Sequence, residues 1–212
     1  GPAGREVVRR DVTSWATVPD GSVFRGAVVA RQAGVVCGLP LVERVYALLG
    51  GLADESTSVE VFPLVAEGAD VGPGTRVAEI EGAARTVLAG ERTALNLLMT
   101  LSGIATEAAA WQREAGPDLS VLDTRKTLPG LRTLSKYAVR VGGGHNHRQG
   151  LYDMVLVKDN HLRHAGGVGP AVLAARNAAP GLLVEIEADT IEQAVEAAAA
   201  GADIVMLDNM DD

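Results

Sequence analysis

The stretch LLVEIEADTIEQAVEAAAAGADIVMLDN, residues 182–209, decides the fold class of this chain. Short runs rich in Val, Ile and Leu begin and end it, and an Ala-rich segment without Gly or Pro lies between them. These patterns predict strands at residues 182–187 and 203–208 around a helix at residues 191–200. A helix that joins two continuously apolar strands is typical of a parallel sheet covered by helices.

The same alternation begins further upstream, at residue 119. Residues 119–123 and 154–158 are predicted strands, and residues 131–141 and 168–178 are predicted helices. The prediction therefore has four parallel strands, whereas a closed βα barrel needs about eight. Either the sheet is open or the chain is truncated, and the Gly1-Pro2 opening without a Met favours a trimmed chain.

The first half of the chain has a different pattern, with short β-branched runs separated by turns. Strands are predicted at residues 23–31, 35–37, 59–61 and 76–80, and a helix is predicted at residues 41–49. A turn at Gly72-Pro73-Gly74 precedes the last strand. A long helix from about residue 85 to residue 111 follows, with apolar residues at helical spacing. The boundary near Gly116-Pro117 predicts two domains, residues 1–116 and 117–212.

The composition excludes several classes of protein. The 212 residues are 47% apolar and carry a net charge of −8, which excludes wholesale disorder and disfavours a nucleic-acid coat. No apolar run approaches the ~18 residues of a membrane span, and no secretory signal is visible. The single Cys37 forms no internal disulfide, which fits a reducing compartment and predicts a cytoplasmic protein.

Positive charge is concentrated in one segment. Residues 120–165 hold eight Lys or Arg and three acids, a net charge of +5, which leaves −13 for the rest of the chain. A cationic segment in an acidic protein indicates a site for a small anion. The alternative is that a lysine-poor composition placed its few lysines here by chance.

Every predicted strand of the second half ends in a charged side chain, and strand ends carry the site in βα architectures. Lys126 lies just after the first strand and Lys158 ends the second, and Glu187 and Asp208 end the last two. The carboxylates, with Glu185, could hold Mg²⁺, which prefers oxygen ligands and substrate phosphates. Alternatively, one of the glutamates pairs with Lys158. The histidine spacings disfavour zinc, because no cysteine pair or acidic third ligand accompanies them.

A group of basic side chains is expected around one cavity: Arg92, Arg125, Lys126, His147, Arg148 and Lys158. These side chains would repel each other without a ligand that carries several negative charges. The run Gly142-Gly143-Gly144 predicts close approach of a ligand to the backbone. Together these features indicate a phosphorylated substrate plus an acid.

The same motifs resemble the quinolinate phosphoribosyltransferase family. The matching motifs are Glu91-Arg92-Thr93-Ala94-Leu95-Asn96, Leu101-Ser102-Gly103-Ile104-Ala105-Thr106, Asp123-Thr124-Arg125-Lys126-Thr127, Lys136-Tyr137-Ala138-Val139, Asn146-His147-Arg148, Val157-Lys158-Asp159-Asn160-His161, Glu185-Ile186-Glu187 and Leu207-Asp208-Asn209. The resemblance implies an α/β fold with an N-terminal α/β sandwich domain followed by an irregular parallel βα barrel. The C-terminal part of that barrel would be missing here.

The resemblance also implies an activity, a pentosyl transfer in de novo NAD biosynthesis. The family converts quinolinate and phosphoribosyl pyrophosphate to nicotinate mononucleotide, pyrophosphate and CO2. The residues that would bind the quinolinate carboxylates are Thr124, Arg125, His147, Arg148 and Lys158. Those that would bind the donor and act in catalysis are Lys126, Glu187 and Asp208, the last two with Mg²⁺. Arg92 would reach the site of the neighbouring subunit in a homodimer.

Three other functions remain alternatives. One is an inactive remnant, or an anion-binding module of the same fold. Another is the related branch associated with molybdenum transport, which shares the Asp123-Thr124-Arg125-Lys126-Thr127 motif. The third is a nucleic-acid binder, which the scarcity of aromatic residues in the basic segment disfavours.

Overall fold

The computed structural model describes residues 11–52 and 58–210, which form two compact units. The first unit extends to His147, and the second begins at Arg148. Gly1-Pro2, on which the expectation of a trimmed chain rests, lies outside the described residues. The predicted domain boundary at Gly116-Pro117 lies within the first unit and stays a prediction.

The first unit combines an antiparallel sheet with long helices. Its elements are α1 (Val12–Thr17), β1 (Val23–Val29), β2 (Gly34–Val35), α2 (Leu39–Leu52), β3 (Val59–Pro63), β4 (Asp70–Val71), β5 (Arg76–Ala83), α3 (Ala84–Ala115) and α4 (Arg132–Val141). The three-stranded sheet has the order β1-β5-β3, and β2 and β4 form a separate two-stranded ladder. The antiparallel pairing of β3 with β5 agrees with the turn predicted at Gly72-Pro73-Gly74.

Helix α3 is the longest element described, with 32 residues. Its N-terminal half packs with α2 and the sheet in a core that contains Val42, Tyr46 and Leu98. Its C-terminal half packs with α4 in a second cluster that includes Leu101 and Ala138. The predicted long helix is confirmed, and its apolar spacing reflects these two contact surfaces.

The strand predicted at residues 119–123 is wrong as a regular element. This segment makes a single parallel bridge, between Leu122 and His145. The Asp123 amide donates to the His145 carbonyl at 3.0 Å, and the His145 amide donates to the Val121 carbonyl at 2.8 Å. The segment is therefore held by the loop after α4 and not by a neighbouring sheet strand.

The second unit is a parallel sheet with helices between its strands. Its elements are β6 (Val155–Val157), α5 (Asp159–Ala165), α6 (Val168–Ala178), β7 (Val184–Ala188), α7 (Ile191–Ala200) and β8 (Ile204–Leu207). The strands lie in the order β6-β7-β8, and both pairs are parallel. Val184 and Ile186 of β7 are fully buried against α6 and α7, as the continuous apolar runs predicted.

Capping residues define the ends of α7. Thr190 accepts a hydrogen bond from the Gln193 amide at the N-terminus, and Gly201 takes a left-handed conformation after the C-terminus. The predicted bounds of α6 and α7 are confirmed, and so is the α/β class of the chain. Within residues 11–52 and 58–210, no helix combines the length and the apolar composition that a membrane span requires.

Candidate active site

The carboxylate of Asp123 organises the cationic region of the first unit. Its side chain is only 6% exposed and forms an ion pair with Lys136, which is 1% exposed. Asp123 Oδ1 also accepts the His147 amide at 2.9 Å, and Lys136 Nζ donates to the His147 carbonyl at 3.0 Å. With its amide nitrogen as the donor, Asn146 bonds Asp123 Oδ2 and the Lys136 carbonyl, both at 2.9 Å. One buried carboxylate therefore joins three segments of chain.

Asp123 and Lys136 were not among the residues to which the sequence assigned a role in the site. Both lie in motifs that resemble the family, but neither spacing nor composition distinguishes a buried lysine from an exposed one. The residues at helical spacing from Lys136 include Arg132 and Arg140 as well as Val139, so the helical pattern gives no signal that this lysine is buried. A buried lysine requires a partner such as a carboxylate.

The residues that follow Asp123 carry three of the predicted site side chains. Thr124 and Lys126 are exposed, and the Thr124 hydroxyl accepts the Lys126 amide at 3.0 Å. Arg125 Nε is buried and finds no hydrogen-bond partner among the residues that the structure describes. A buried donor without a partner is rare in proteins and supports a ligand at this position. The structure thus places Thr124, Arg125 and Lys126 on a segment bonded to the His147 loop.

Protein packing requires small residues in the glycine run after α4, and close approach of a ligand to its backbone stays a prediction. A Cβ at Gly142 would lie 2.2 Å from the Ala105 carbonyl oxygen in α3. At Gly144 a Cβ would lie 2.8 Å from the Val139 side chain. Gly143 has a φ of 88°, a conformation that side chains disfavour. The run allows α4 to lie close to α3 and the chain to turn toward His147.

Arg92 lies on α3 with its side chain 75% exposed. Its Nη2 atom is 3.9 Å from Glu91 Oε1, at the outer limit of an ion pair. A weak contact of this kind on a solvated helix face holds the guanidinium loosely.

In the second unit, three predicted site residues lie at the C-terminal ends of parallel strands. Lys158 follows β6, Glu187 is the penultimate residue of β7, and Asp208 follows β8. Lys158 Nζ lies 2.5 Å from Glu187 Oε1, which confirms the alternative that a glutamate pairs with Lys158. The Asp208 amide donates to the Ala188 carbonyl at 3.0 Å, so Asp208 lies beside the end of β7.

His161 and Arg148 complete the account of the predicted cations. His161 Nδ1 accepts the Lys158 amide at 2.9 Å, so one ring nitrogen fixes the start of α5. This bond gives His161 a structural role at the start of the helix. Arg148 is half-buried at the beginning of the second unit and interacts with other residues there.

The donor set of the second unit fits Mg²⁺ only as a partial site. Among residues 11–52 and 58–210, no three His, Cys, Asp or Glu side chains are grouped to hold a metal ion. Glu187 and Asp208 offer carboxylate oxygens at neighbouring strand ends. Mg²⁺ commonly takes one or two protein carboxylates and completes its shell with substrate phosphates and water. The two carboxylates agree with that chemistry.

Comparison with known proteins identifies the family. The model of the N-terminal domain of quinolinate phosphoribosyl transferase matches residues 11–102, and the model of its C-terminal domain matches residues 104–212. The nicotinate-nucleotide pyrophosphorylase [carboxylating] of Mycobacterium leprae is 43% identical, over 98% of this chain and 75% of its own length. The human protein of the same name is 44% identical, over 87% of this chain and 61% of its own length.

Solved structures agree with this result. A crystal structure of NadC from Streptococcus pyogenes has a TM-score of 0.89 at 40% identity, over 99% of this chain and 75% of that one. Its similarity extends across the antiparallel and the parallel sheets. The chain belongs to the quinolinate phosphoribosyltransferase family, a family of pentosyltransferases. It spans between 61% and 75% of the relatives named here.

Proposed function

We propose that this chain binds quinolinate and phosphoribosyl pyrophosphate and takes part in their conversion to nicotinate mononucleotide, pyrophosphate and CO2. This reaction belongs to the de novo route to NAD. The observation that carries the proposal is the Asp123 cluster, which holds Arg125 and Lys126 on a segment bonded to the loop of His147. The family supplies the reaction, and the basic residues supply binding groups for two anionic substrates.

The acid is proposed to bind through four basic side chains. Quinolinate carries two neighbouring carboxylates, and a guanidinium binds a carboxylate through two parallel hydrogen bonds. Arg125, Arg148, His147 and Lys158 are assigned to these carboxylates, and the Thr124 hydroxyl is assigned a hydrogen bond beside them. The buried Arg125 Nε, a donor without a partner among the described residues, supports this assignment.

The donor is proposed to bind through Lys126, Glu187 and Asp208. Lys126 is exposed and offers a point charge to the pyrophosphate oxygens. Loss of pyrophosphate from ribose C1 develops positive charge on the sugar, and a fixed carboxylate stabilises that charge. Glu187 suits this role because its ion pair with Lys158 fixes its position at the end of β7.

Glu187 and Asp208 would hold Mg²⁺ together with donor phosphate oxygens and water. When bound, the ion supplies positive charge that neutralises the departing pyrophosphate. The carboxylates of this chain would orient the donor so that ribose C1 faces the bound acid.

Binding the two anions side by side lowers the entropic cost of their reaction. The quinolinate nitrogen attacks ribose C1 and becomes positively charged. That charge stabilises the carbanion left when the adjacent carboxylate departs as CO2, and a proton from water then completes nicotinate mononucleotide. The basic side chains hold the ring in the orientation that this attack requires.

A homodimer is also proposed, with Arg92 reaching the site of the neighbouring subunit. The 75% exposed side chain of Arg92 and its loose contact with Glu91 support a role outside its own subunit. The free, buried thiol of Cys37 supports a reducing, cytoplasmic location.

The test is to incubate the protein with both substrates and Mg²⁺ and to measure nicotinate mononucleotide by chromatography. We expect product, and we expect chelation of Mg²⁺ to abolish it. Arg148→Ala should raise the KM for quinolinate, with little change in the KM for the donor. Absence of product would refute the proposed activity, and full activity after chelation would refute the role of the ion.

A further inference from the structure

We propose that Lys136 and Asp123 are positioning residues that set the geometry between Arg125 and His147 for the two carboxylates of the acid. The inference rests on the proposed function, because it concerns the same quinolinate-binding groups. It adds two buried residues that act through others and do not themselves need to touch the substrate.

Burial of the Lys136–Asp123 ion pair carries a desolvation cost that offsets its contribution to the stability of the fold. Lys136 is 1% exposed and the Asp123 side chain is 6% exposed, so both charges have lost nearly all contact with water. Replacing buried ion pairs by apolar residues of similar volume often leaves stability unchanged or raises it. Stability alone therefore does not account for a charged pair here, whereas the geometry it imposes does.

The hydrogen bonds of the Lys136–Asp123 pair hold both the amide and the carbonyl group of His147. Asp123 Oδ1 accepts the His147 amide, and Lys136 Nζ donates to the His147 carbonyl. The peptide groups on either side of the His147 Cα are thus held by the two members of the pair. Because Arg125 follows Asp123 by two residues, the same carboxylate connects the segments that bear Arg125 and His147.

Helix α4 provides a rigid reference for this arrangement. The residue next to Lys136, Tyr137, donates its hydroxyl to Glu67 Oε1 at 3.0 Å. Glu67 in turn accepts the amides of Gly38 and Leu39 at the start of α2. Because α4 also packs against α3 in the cluster that includes Ala138, its position does not depend on this hydrogen bond alone. Lys136 connects the helix to the loop of His147.

A dicarboxylate requires its binding groups at a fixed separation. A displacement of about 1 Å can lower the efficiency of a site by up to roughly a hundredfold. The contacts of Lys136 hold the His147 loop against the segment that bears Arg125. Their loss should weaken binding of quinolinate while the fold of the first unit remains.

The experiment compares Lys136→Met with the matched control Tyr137→Phe, which removes one hydrogen bond from the adjacent residue. A second variant, Asp123→Asn with Lys136→Met, removes both charges and leaves no buried charge unpaired. Hydrogen exchange on each folded protein measures protection of the Asp123, His145 and His147 amides. Calorimetry measures the Kd for quinolinate, and kinetics give KM and kcat.

We expect both Lys136 variants to lose at least about tenfold in protection at these amides, with α3 unaffected. We expect the Kd and KM for quinolinate to rise at least about tenfold, with kcat changed less, and Tyr137→Phe to resemble the wild type. The increase should shrink when His147 is already replaced by Ala, since Lys136 acts through that residue.

The failures of the two proposals are distinguishable. Wild-type protein that neither binds quinolinate nor forms product would refute the proposed function. Normal wild-type binding together with an unchanged Kd in both Lys136 variants would refute only the positioning role. A rise in Kd that is equally large in Tyr137→Phe, or fully additive with His147→Ala, would also refute it.

Discussion

Replacing Gly142 by Ala is expected to destabilise the first unit, because a Cβ at this position has no room. The backbone φ of Gly142 is −76°, which any residue adopts, so conformational strain adds nothing. The new atom would lie 2.2 Å from the Ala105 carbonyl oxygen and 2.9 Å from the Ala108 Cβ. Both of these atoms belong to α3, whose backbone is fixed by its own hydrogen bonds.

The size of the effect follows from the overlap. Ordinary contact requires the two helices to separate by about 1 Å, and overpacking of this kind costs about 1–3 kcal/mol. A typical domain is stabilised by only about 5–15 kcal/mol, so the loss is large. The separation would also loosen the apolar contacts between Leu101 and Ala138.

Urea denaturation followed by far-UV circular dichroism measures the change. The matched control is Gly103→Ala within α3, where a new Cβ meets no atom within 4 Å. The control should gain up to about 1 kcal/mol from helix propensity. A loss smaller than about 0.5 kcal/mol in Gly142→Ala, the size of an ordinary surface change, would refute the reasoning.

Three further predictions concern single side chains. The Arg92→Ala and Lys126→Ala proteins should each be inactive alone. When the two are mixed and their subunits exchange at random, about a quarter of wild-type activity should return, because only a dimer with one subunit of each kind contains a complete site. No recovery would contradict the action of Arg92 across subunits. Burial raises the pKa of the Cys37 thiol to about 12 from an ordinary value of 9.0, so a thiol reagent at pH 9 should react only as fast as the protein unfolds. The native thiol retains its proton while the unfolded thiol loses it, so the free energy of unfolding should fall as the pH rises above 9.0; rapid labelling of the native state would contradict this prediction. Lys158→Met should raise the KM for both substrates, because Lys158 is assigned to quinolinate and also holds Glu187, which is assigned to the phosphoribosyl donor. The control Arg163→Met, which removes an exposed ion pair, should change neither KM. An effect of Lys158→Met on one substrate alone would contradict the shared role.

The sequence was most informative where one pattern determines one structure. Helices α6 and α7 were predicted to the residue from their composition and spacing. In α7 the capping Thr190 and the terminal Gly201 agree with the predicted bounds. Residues 119–123 were less predictable, because their apolar pattern suits a strand whatever its partner. The partner is the loop of His145, and such a long-range pairing leaves no local signal.

The candidate site also has features that the sequence predicts and features that it does not. Cationic side chains and strand-end carboxylates were predicted as site residues from residue type and position, and their roles stay predictions. The burial of Lys136 and the packing role of Gly142 were not identified, because both depend on what another segment places opposite them. The pairing of Lys158 with Glu187 was foreseen only as an alternative, since sequence does not fix which carboxylate a lysine selects.

The continuity of α3 limits how members of this family can be recombined. The two family models divide the chain between residues 102 and 104, in the middle of this 32-residue helix. Leu98 belongs to one core cluster and Leu101, one turn further along, to the other. A chimera joined at that boundary would therefore unite two half-helices whose packing partners come from different parents. Crossover points placed after His147, where the first unit ends, would take both clusters from a single parent.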